Sequence, residues 1–542
     1  MEQLRLILLV ALSFLSLMLW EAWQRDYVSP PPIAEMPQAA TAVSSANTTP
    51  DIPSKSTAIP AAAAAPGSAT PNAFVDVETD VLKLRINLTG GVIEQAGLLH
   101  YPTDGETDQS PYKLLDNSAE RFFIHQSGLK AEKAESADHY ARFTAPQTRY
   151  VLAPGEESLN IELSWTSVAG VNVRKQFVLK RGDYTVGINY AVHNASNDNW
   201  VFHHYDQLQR TERKVRQYFI QTFTGAALSS PETRYAKFAF KKLKDEPINQ
   251  DITNGWTAIL EHYFVSAIIP TSKKSYHYYS TIIGESNYAV GFYGPAQTVA
   301  PGASDSIESS LYIGPKLQNI LKTVAPGLDL TVDYGVLWFI GQILFWTLGK
   351  AHTLSGNWGW SIVLLTCVVK GVFFPLSAAG YRSMARMRRV QPRLLAIRER
   401  FQNDRAALNQ AMMELYKTEK INPLGGCLPI VIQIPVFIAL YWVILESVEL
   451  RQAPFVFWIK DLSIKDPHFV LPVLMTISMW LQSKLNPAPT DPIQARVMQI
   501  MPFAFGTFFA FFPAALVLYW FVNNCLSISQ QWLITRAMER SA

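Results

Sequence analysis

Polar and hydrophobic residues alternate along much of the chain between residues 73 and 330. In segment 82–88 every second residue is aliphatic and the residues between are polar, and segment 159–165 repeats the pattern. Segments 171–179 and 184–192 show it again on either side of a Lys-Arg-Gly-Asp turn. Because strand side chains alternate between two faces, this period indicates strands with one buried face. We predict that residues 73–330 form one large all-β sandwich domain.

Uncharged apolar runs replace this alternation in the C-terminal part of the chain. Residues 331–352 are apolar but short for a crossing, so an interfacial amphipathic helix is favoured over a span. A run of about 20 apolar residues is enough to cross a bilayer. The predicted crossings are 353–379, 421–445, 467–483 and a pair within 497–535 that turns near Pro513.

The N-terminus supplies a further apolar run, within residues 1–27. The run ends near Trp20 and Trp23, which suit a membrane interface, and it lacks the small residues of a signal-peptide cleavage site. We therefore favour an uncleaved anchor over a cleaved signal peptide. With this anchor the chain has six predicted spans, and residues 421–542 hold spans three to six and a short tail.

Residues 28–72 form a compositionally distinct segment between the anchor and the β-rich part. They hold nine prolines, twelve alanines and three charged residues. Such a segment buries too little apolar surface to offset the entropy of ordering, and we predict an extended or disordered tether.

Loop charges orient the predicted spans. Segment 382–420 carries ten basic and four acidic residues, whereas segment 446–466 carries three basic and four acidic ones. Cytoplasmic loops of membrane proteins are enriched in Lys and Arg. The sequence therefore predicts that segment 382–420 and both termini are cytoplasmic. Segment 446–466 and the β-domain would then lie in a periplasmic space.

The basic segment has the apolar spacing of two helices, so we predict a helical hairpin over residues 380–420 with a cap at Asn403-Asp404. Two interpretations stay open. The hairpin is a solvated pair with its own apolar seam, or it is a docking face. Methionine adapts to varied partners, and basic charge suits anionic lipids or ribosomal RNA. The predicted docking residues are Arg382, Met384, Arg386, Met387, Arg388, Arg389 and Met412.

The composition agrees with a chain of two unlike parts. Of 542 residues, 49% are apolar and 17% are charged, and the charged share is below the roughly 25% of a soluble domain. The net charge of +3 excludes a strongly basic nucleic-acid-binding protein. The three cysteines lie in the apolar C-terminal third, which leaves no disulfide framework. We predict no metal site and no other cofactor.

The β-rich part offers only weak chemical motifs. His203 and His204 are adjacent, but neighbouring strand residues point to opposite faces and do not easily share one metal ion. The tripeptide 181–183 resembles an adhesion motif, yet Gly-Asp between two strands is ordinary turn chemistry. We find no catalytic constellation, and we predict that the protein is not an enzyme.

One charged residue, Lys370, lies inside a predicted crossing. It is twelve residues past Trp358, about 18 Å along a helix, which places it beyond the bilayer midplane. A lysine there costs about 2.5–3.5 kcal/mol on insertion scales and marks a functional site, unless its long side chain reaches the headgroups. Position alone does not decide between these two roles. Other polar or amphipathic residues in the crossings favour the functional one: Thr366, Gln433, Gln482, Tyr519, Trp520 and Asn523.

Five short motifs in the C-terminal part carry a family resemblance. They are Asn-Trp-Gly-Trp-Ser at 357–361, Asn-Pro-Leu-Gly-Gly-Cys-Leu-Pro at 422–429, Gln-Ile-Pro-Val-Phe at 433–437, Val-Glu-Leu-Arg-Gln-Ala-Pro-Phe at 448–455 and Leu-Val-Leu-Tyr-Trp at 516–520. In these motifs the chain resembles the YidC family of bacterial membrane protein insertases, which is related to mitochondrial and chloroplast insertases. The resemblance is specific over residues 335–535, and the rest of the chain resembles the longer Gram-negative members.

The resemblance implies a fold and a site. The fold would be a polytopic α-helical membrane protein with a large periplasmic β super-sandwich, akin to sugar-mutarotase folds. The helical core would form a hydrophilic groove, open to the cytoplasm and the lipid, with one positive residue that is usually Arg. Lys370 matches that position, and lysine keeps the charge but loses the bidentate fork. Gln482 and Trp520 match further groove positions, with Thr366 and Tyr519 beside them.

The function implied is that of a membrane protein insertase and chaperone of the bacterial inner membrane. Its partners would be nascent membrane proteins, anionic lipids, the Sec translocon with its accessory subunits, and the ribosome. Ribosome contact would be weak, because the tail at 536–542 lacks the long basic extension of some members. Two other classes stay open: a small-solute transporter or channel, and a periplasmic binding module tethered by spans. Deletion of residues 73–320 would separate the last class from an insertase.

Overall fold

The fold was analysed in a computed structural model. It describes residues 74–104, 108–212, 222–284, 286–401, 404–419, 428–486 and 492–540. The predicted anchor and tether, residues 1–72, lie outside the described residues.

The predicted β-domain consists of strands joined mostly by short turns. The strands are β1 Phe74–Glu78, β2 Leu82–Asn87, β3 Val92–Asp104, β4 Asp108–Ser118, β5 Arg121–Ala131, β6 Arg149–Val151, β7 Ser158–Thr166, β8 Val171–Lys180, β9 Thr185–Asn194, β10 Trp200–Thr211, β11 Gly225–Ser229, β12 Ala236–Ala239, β13 Asn249–Thr253, β14 Trp256–Leu260, β15 Phe264–Pro270, β16 Ser275–Ile283, β17 Asn287–Tyr293, β18 Gln297–Val299 and β19 Ser304–Pro315. Two short helices belong to this part, α1 Lys242–Asp245 and α2 Gln318–Val324.

The strands form two sheets that share one buried core. The larger sheet has the order β13-β16-β17-β10-β5-β4-β3-β2-β1-β6, and β18 pairs with β10. The smaller sheet has the order β12-β11-β14-β15-β19-β9-β8-β7. All pairs are antiparallel except β1 with β6. The predicted β-sandwich is confirmed.

Strand β8 shows why these residues form strands. Its alternate residues Val171, Val173, Phe177 and Leu179 are buried, while Arg174 and Lys180 are exposed. Buried apolar side chains on one face stabilise the pairing register, because a slip of one residue would expose all of them. The predicted turn after β8 is present, with Gly182 at φ +69°. His203 and His204 face opposite sides of β10, as expected: His204 is buried and His203 is partly exposed.

The C-terminal part is helical. The helices are α3 Trp338–Ser355, α4 Trp358–Val372, α5 Phe374–Arg400, α6 Arg405–Thr418, α7 Leu428–Glu446, α8 Val470–Leu485, α9 Pro492–Phe509 and α10 Ala514–Arg540. Helix α10 packs against α4, α5 and α8, and α3 packs against α4 and α7. The turn predicted near Pro513 separates α9 from α10.

The predicted second span, residues 353–379, is two helices rather than one. Helix α4 ends at Val372, and α5 begins at Phe374 with its axis bent by 68°. Pro375 in the first turn of α5 explains the break, because proline donates no backbone hydrogen bond and disfavours helical geometry in the residue before it. Among the described residues no single helix is long and apolar enough to qualify as a crossing, whereas α4 and α5 qualify as a bent pair.

Helix α3 covers the segment predicted to be an interfacial amphipathic helix. Leu344 and Leu348 pack inward against the bundle, but the opposite face is also apolar and exposes Trp338, Phe339 and Trp346. The helix is therefore apolar on both sides rather than divided into an apolar and a charged face. An exposed aromatic face of this kind suits contact with lipid.

Helices α5 and α6 form the predicted hairpin. Asp404 caps α6 by accepting hydrogen bonds from the backbone N–H groups of Ala406 and Ala407, both at 3.0 Å. Val390 and Leu394 form a small buried seam between the two helices, and Met387 and Met412 pack against it. The hairpin has its own seam, as one of the two interpretations expected.

Candidate functional site

Helix α4 carries Lys370 inward. The helix begins after Asn357, whose side chain accepts a hydrogen bond from the backbone N–H of Trp360 at 3.2 Å. Its exposed side is apolar and consists of Trp360, Leu364, Cys367, Val368 and Val372. Thr366 and Lys370 lie on the opposite, buried side. The polar residues of α4 therefore face the other helices.

Lys370 lies in a contact between α4 and α10. Its side chain is only 8% exposed, and the ammonium donates a hydrogen bond of 2.7 Å to the Ser527 hydroxyl. Ser527 in turn donates to the backbone carbonyl of Asn523 at 2.7 Å. No described acidic residue forms an ion pair with Lys370. An ammonium has three N–H donors, so Ser527 accounts for one of them.

Helix α10 presents a buried polar stripe. Tyr519, Asn523, Ser527 and Gln531 follow each other at four-residue spacing, and all four are buried. Residues four apart lie on neighbouring positions of one helix face, so the stripe runs about 18 Å along α10. Asn524, beside the stripe, donates to Ser478 of α8 at 3.1 Å.

Several polar atoms in and beside this stripe lack a hydrogen-bond partner among the described residues. They are Trp520 Nε1, Asn523 Oδ1, Gln530 Oε1 and Gln531 Oε1. Burying such groups without a partner is unfavourable, and intramembrane polar residues face a bundle interior or a hydrated cavity. These atoms are three acceptor oxygens about one helical turn from Ser527, and one donor, Trp520 Nε1, about 10 Å from it along α10.

A second polar contact lies between α7 and α10, farther along α10 from Lys370. Gln433 of α7 donates to the Tyr519 hydroxyl at 2.5 Å. The Trp520 ring packs against Phe437 at 4.6 Å and Phe509 at 5.2 Å between ring centroids. Three predicted groove residues thus meet where α7 and α10 contact each other, about 12 Å along α10 from Ser527.

The structure does not join all predicted groove residues to Lys370. The Thr366 hydroxyl donates to the Ile362 carbonyl of its own helix at 2.6 Å, so its proton is already used. Gln482 is partly buried on α8. No hydrogen bond links either of them to Lys370 in the described parts of the chain.

Sequence reasoning missed Ser527. A lone serine in an apolar helix attracts little notice, since it often bonds to a carbonyl of its own helix. The signal that would have found it is its spacing, four residues after Asn523 and eight after Tyr519.

The predicted docking hairpin shows an exposed basic face. Arg382, Arg386, Arg388 and Arg389 are exposed. Arg389 also donates to the Met538 carbonyl of α10 at 2.7 Å, which ties the hairpin to the end of that helix. Met384, Met387 and Met412 are partly buried. Docking by this face stays a prediction.

A second buried lysine lies in the β-domain. Lys175 of β8 is 0% exposed, and its ammonium donates to the backbone carbonyls of Gly90, Gly91 and Ser127, each at 3.0 Å. Burial lowers the pKa of Lys175 to about 7. All three of its donors have partners, so it is a packed structural residue.

A β-sandwich joined to apolar helices with an inward-facing ammonium defines a membrane-associated protein of two parts. Family models agree: residues 74–347 match the YidC periplasmic domain, and residues 350–541 match the 60Kd inner membrane protein family. The chain belongs to the YidC family of membrane protein insertases. This family consists of inner-membrane insertases with a periplasmic domain and is not an enzyme family, as the sequence predicted.

Relatives that align over nearly the whole chain are named membrane protein insertase YidC. A membrane protein insertase YidC of Nitrosococcus oceani is 46% identical and covers 100% of both chains. One from Stutzerimonas stutzeri is 46% identical over 99% of both. Among solved structures, an active YidC insertase is 16% identical with TM-score 0.39, covering 85% of this chain and 92% of that one. A galactose mutarotase related enzyme of Lactobacillus acidophilus is 10% identical with TM-score 0.30, covering 44% and 97%.

Proposed function

We propose that this protein inserts integral membrane proteins into the inner membrane and assists their folding, with Lys370 as the residue that attracts acidic substrate segments. The observation that supports this most is the environment of its ammonium. It is buried among apolar helices, has one serine partner, and forms no ion pair in the described parts of the chain. A carboxylate on a nascent chain would supply the missing counter-charge, and attraction is strong where water is scarce.

The route of insertion follows from the two surfaces of the bundle. A hydrophilic segment enters a groove at the cytoplasmic side and lies along the polar stripe of α10. The substrate's apolar segment then moves along the apolar faces of α7 and α9 into lipid. Transfer of apolar surface at about 25 cal/mol per Å² drives this step. Helix α8 has 16 residues, about 24 Å, and a short helix favours local thinning of the bilayer.

The proposed topology has six spans, with residues 1–27 as the first, residues 28–72 as a tether, and both termini in the cytoplasm. Two contacts support opposite placement of the β-domain and the hairpin. Arg451, in the loop between α7 and α8, donates to the Pro102 carbonyl of the β-domain at 2.7 Å. Arg389 joins the hairpin to the far end of α10. The β-domain and the hairpin therefore contact different ends of the bundle.

Two of the proposed partners follow from the basic surface of the hairpin. The exposed arginines of the hairpin suit anionic lipid and, weakly, the ribosome. The Sec translocon and its accessory subunits are partners for some clients and are dispensable for others. The relatives are named as insertases, so the transporter alternative gains no support.

Reconstitution tests the proposal. A small two-span protein with an acidic translocated segment is synthesised beside proteoliposomes that hold only this purified chain, and insertion is scored by protease protection. We expect more protection than with empty liposomes. Lys370→Ala should lose at least tenfold of the insertion activity, and a tenfold change corresponds to about 1.4 kcal/mol. Lys370→Arg should retain the activity.

Two results would change the proposal. Unchanged insertion of every dependent client by Lys370→Ala would remove the role of the charge. No protection at all, restored when Sec components are added, would make the protein a chaperone that depends on a partner.

A further inference from the structure

The loop between α7 and α8, residues 447–469, concentrates unusual backbone conformations. Among the described residues only four non-glycine residues have positive φ, and three of them lie in this loop: Gln452 at +56°, Phe457 at +53° and Phe469 at +55°. Bulky side chains rarely adopt this region, and such conformations persist only where surrounding contacts impose them. The loop is therefore held in one shape at a conformational cost.

The contacts that hold the loop come from three other elements. Arg451 donates to the Pro102 carbonyl of β3. Within the loop, Trp458 Nε1 donates to the Asp466 carboxylate at 2.9 Å, and that carboxylate also accepts from the Leu471 N–H of α8 at 2.7 Å. The Ala514 N–H of α10 donates to the Ile464 carbonyl at 2.7 Å. The loop is thus fixed to the β-domain, to α8 and to α10.

This fixed shape displays apolar and cationic side chains outward. Phe457 is 90% exposed, and Ile464 and Phe469 are also exposed. Lys460 and Lys465 are exposed beside them. Of the neighbouring acidic residues, Asp466 is buried and Asp461 is partly exposed. An exposed phenylalanine that a strained backbone keeps outside the core is not explained by stability of the fold.

The outward surface of the loop continues the apolar faces of the helices. Phe469 precedes Val473 and Ile477 at four-residue spacing on the exposed face of α8. The backbone of Lys465 forms an isolated antiparallel β-bridge with Pro513, at the turn between α9 and α10. At the other side of the loop, Phe455 contacts the exposed ring of Trp360 at 5.4 Å between centroids. The loop therefore lies where the ends of three apolar helices meet, on the side of the β-domain.

We propose that loop 447–469 is a lipid-binding wedge. Phe457, Ile464 and Phe469 insert into the headgroup region of the leaflet that faces the β-domain, and the two lysines bind the phosphates of anionic lipids. Aromatic rings are enriched at the depth of the lipid headgroups, and neighbouring lysines attract anionic headgroups. The proposal rests on membership of an inner-membrane family and is independent of the role of Lys370.

Depth-dependent fluorescence quenching tests this proposal on the full chain. Cys367, Cys427 and Cys525 are replaced by serine, Phe457→Cys is labelled with bimane, and the protein is placed in nanodiscs of phosphatidylethanolamine and phosphatidylglycerol. The control is Val168→Cys, a position that is 94% exposed in a β-domain turn. We expect lipids with a nitroxide on the headgroup to quench the label at 457 several-fold more than the label at 168, and aqueous iodide to show the reverse.

Two further arms make the outcome decisive. In nanodiscs without phosphatidylglycerol, or with Lys460→Gln and Lys465→Gln together, we expect lipid quenching at 457 to decrease while quenching at 168 stays low. Equal iodide quenching at both positions would show that the loop is in water and would overturn the proposal. Shielding of 457 from both lipid and iodide would show that a protein surface covers it, which would overturn it as well.

Discussion

Two of the buried lysines of this protein, Lys175 and Lys370, occupy opposite kinds of environment. In the β-domain, Lys175 donates to three backbone carbonyls. In the helical region, Lys370 has one partner, the Ser527 hydroxyl. Both side chains are largely removed from solvent, at 0% and 8% exposure. The difference lies in what each architecture offers to an ammonium.

A sheet with tight turns has backbone carbonyls that are free to accept a hydrogen bond from an ammonium, whereas the interior of a helix does not. Gly90 and Gly91 adopt positive φ, +76° and +56°, and this turn directs both carbonyls to Lys175. Carbonyls inside a helix already accept bonds from their own helix. A lysine among helices must therefore rely on side chains or on a ligand. On the proposed function, this contrast separates a structural lysine, Lys175, from a substrate-binding one, Lys370.

Acid is expected to have the largest effect, and to act on the β-domain. Burial lowers the pKa of His204 to about 4 and the pKa values of His139 and His262 to about 3, from the usual 6.5. The unfolded chain therefore binds more protons than the folded one between these values. Stability should fall as the pH decreases from about 6.5 towards 3, because three groups act together. Thermal unfolding of the full chain, followed by circular dichroism, measures this.

His204→Phe should reduce this acid sensitivity, since neither ring nitrogen of His204 has a hydrogen-bond partner among the described residues. The matched control is His193→Gln, on the exposed side of β9. Equal acid sensitivity in the two variants would show that His204 does not contribute to the loss of stability in acid.

Lys175→Met should be the next largest change. It leaves three buried carbonyls without their partner, and we expect a loss of about 3 kcal/mol in unfolding free energy. Lys180→Met, exposed on the same strand, should change it by less than about 0.5 kcal/mol. Because the folded pKa of Lys175 is about 7 against 10.5 unfolded, wild-type stability should rise between these pH values. If Lys175→Met keeps this rise of stability with pH, the rise does not come from the buried ammonium of Lys175.

Lys370→Met should show the opposite behaviour. Removing an intramembrane charge that costs about 2.5–3.5 kcal/mol on insertion scales should leave stability unchanged or increase it. Insertion of acidic clients should fall strongly in the same variant. Lys484→Met, exposed near the end of α8, is the matched control and should insert clients normally. If Lys370→Met instead unfolds the bundle, the lysine is structural and the contrast with Lys175 is lost.

Ser527→Ala should have the smallest effect. It removes the one described hydrogen bond of Lys370, and we expect insertion of acidic clients to fall by less than tenfold, about 1 kcal/mol. In the Lys370→Ala background the same change should add nothing, because Ser527 acts through the lysine. Additive losses in this double-mutant cycle would show that Ser527 has a separate role.

The general plan of the protein follows from local patterns in the sequence. Alternation predicted β8 and its neighbours, Asp404 marked the start of α6, and the turn near Pro513 separated α9 from α10. Lys370 stood out because a charge in an apolar run is costly wherever it lies. These predictions needed only the spacing of residues near each other in the chain.

What the sequence alone determined about this protein is its division into a β-domain and an apolar helical part, its family, and the exceptional residue Lys370. Tertiary structure decided the rest. It paired Lys175 with carbonyls 84 and 85 residues away, and Lys370 with a serine 157 residues away. It also bent the predicted second span at Phe373. The physical reason is that periodicity records only which face is buried, whereas partners across a core depend on how distant elements pack.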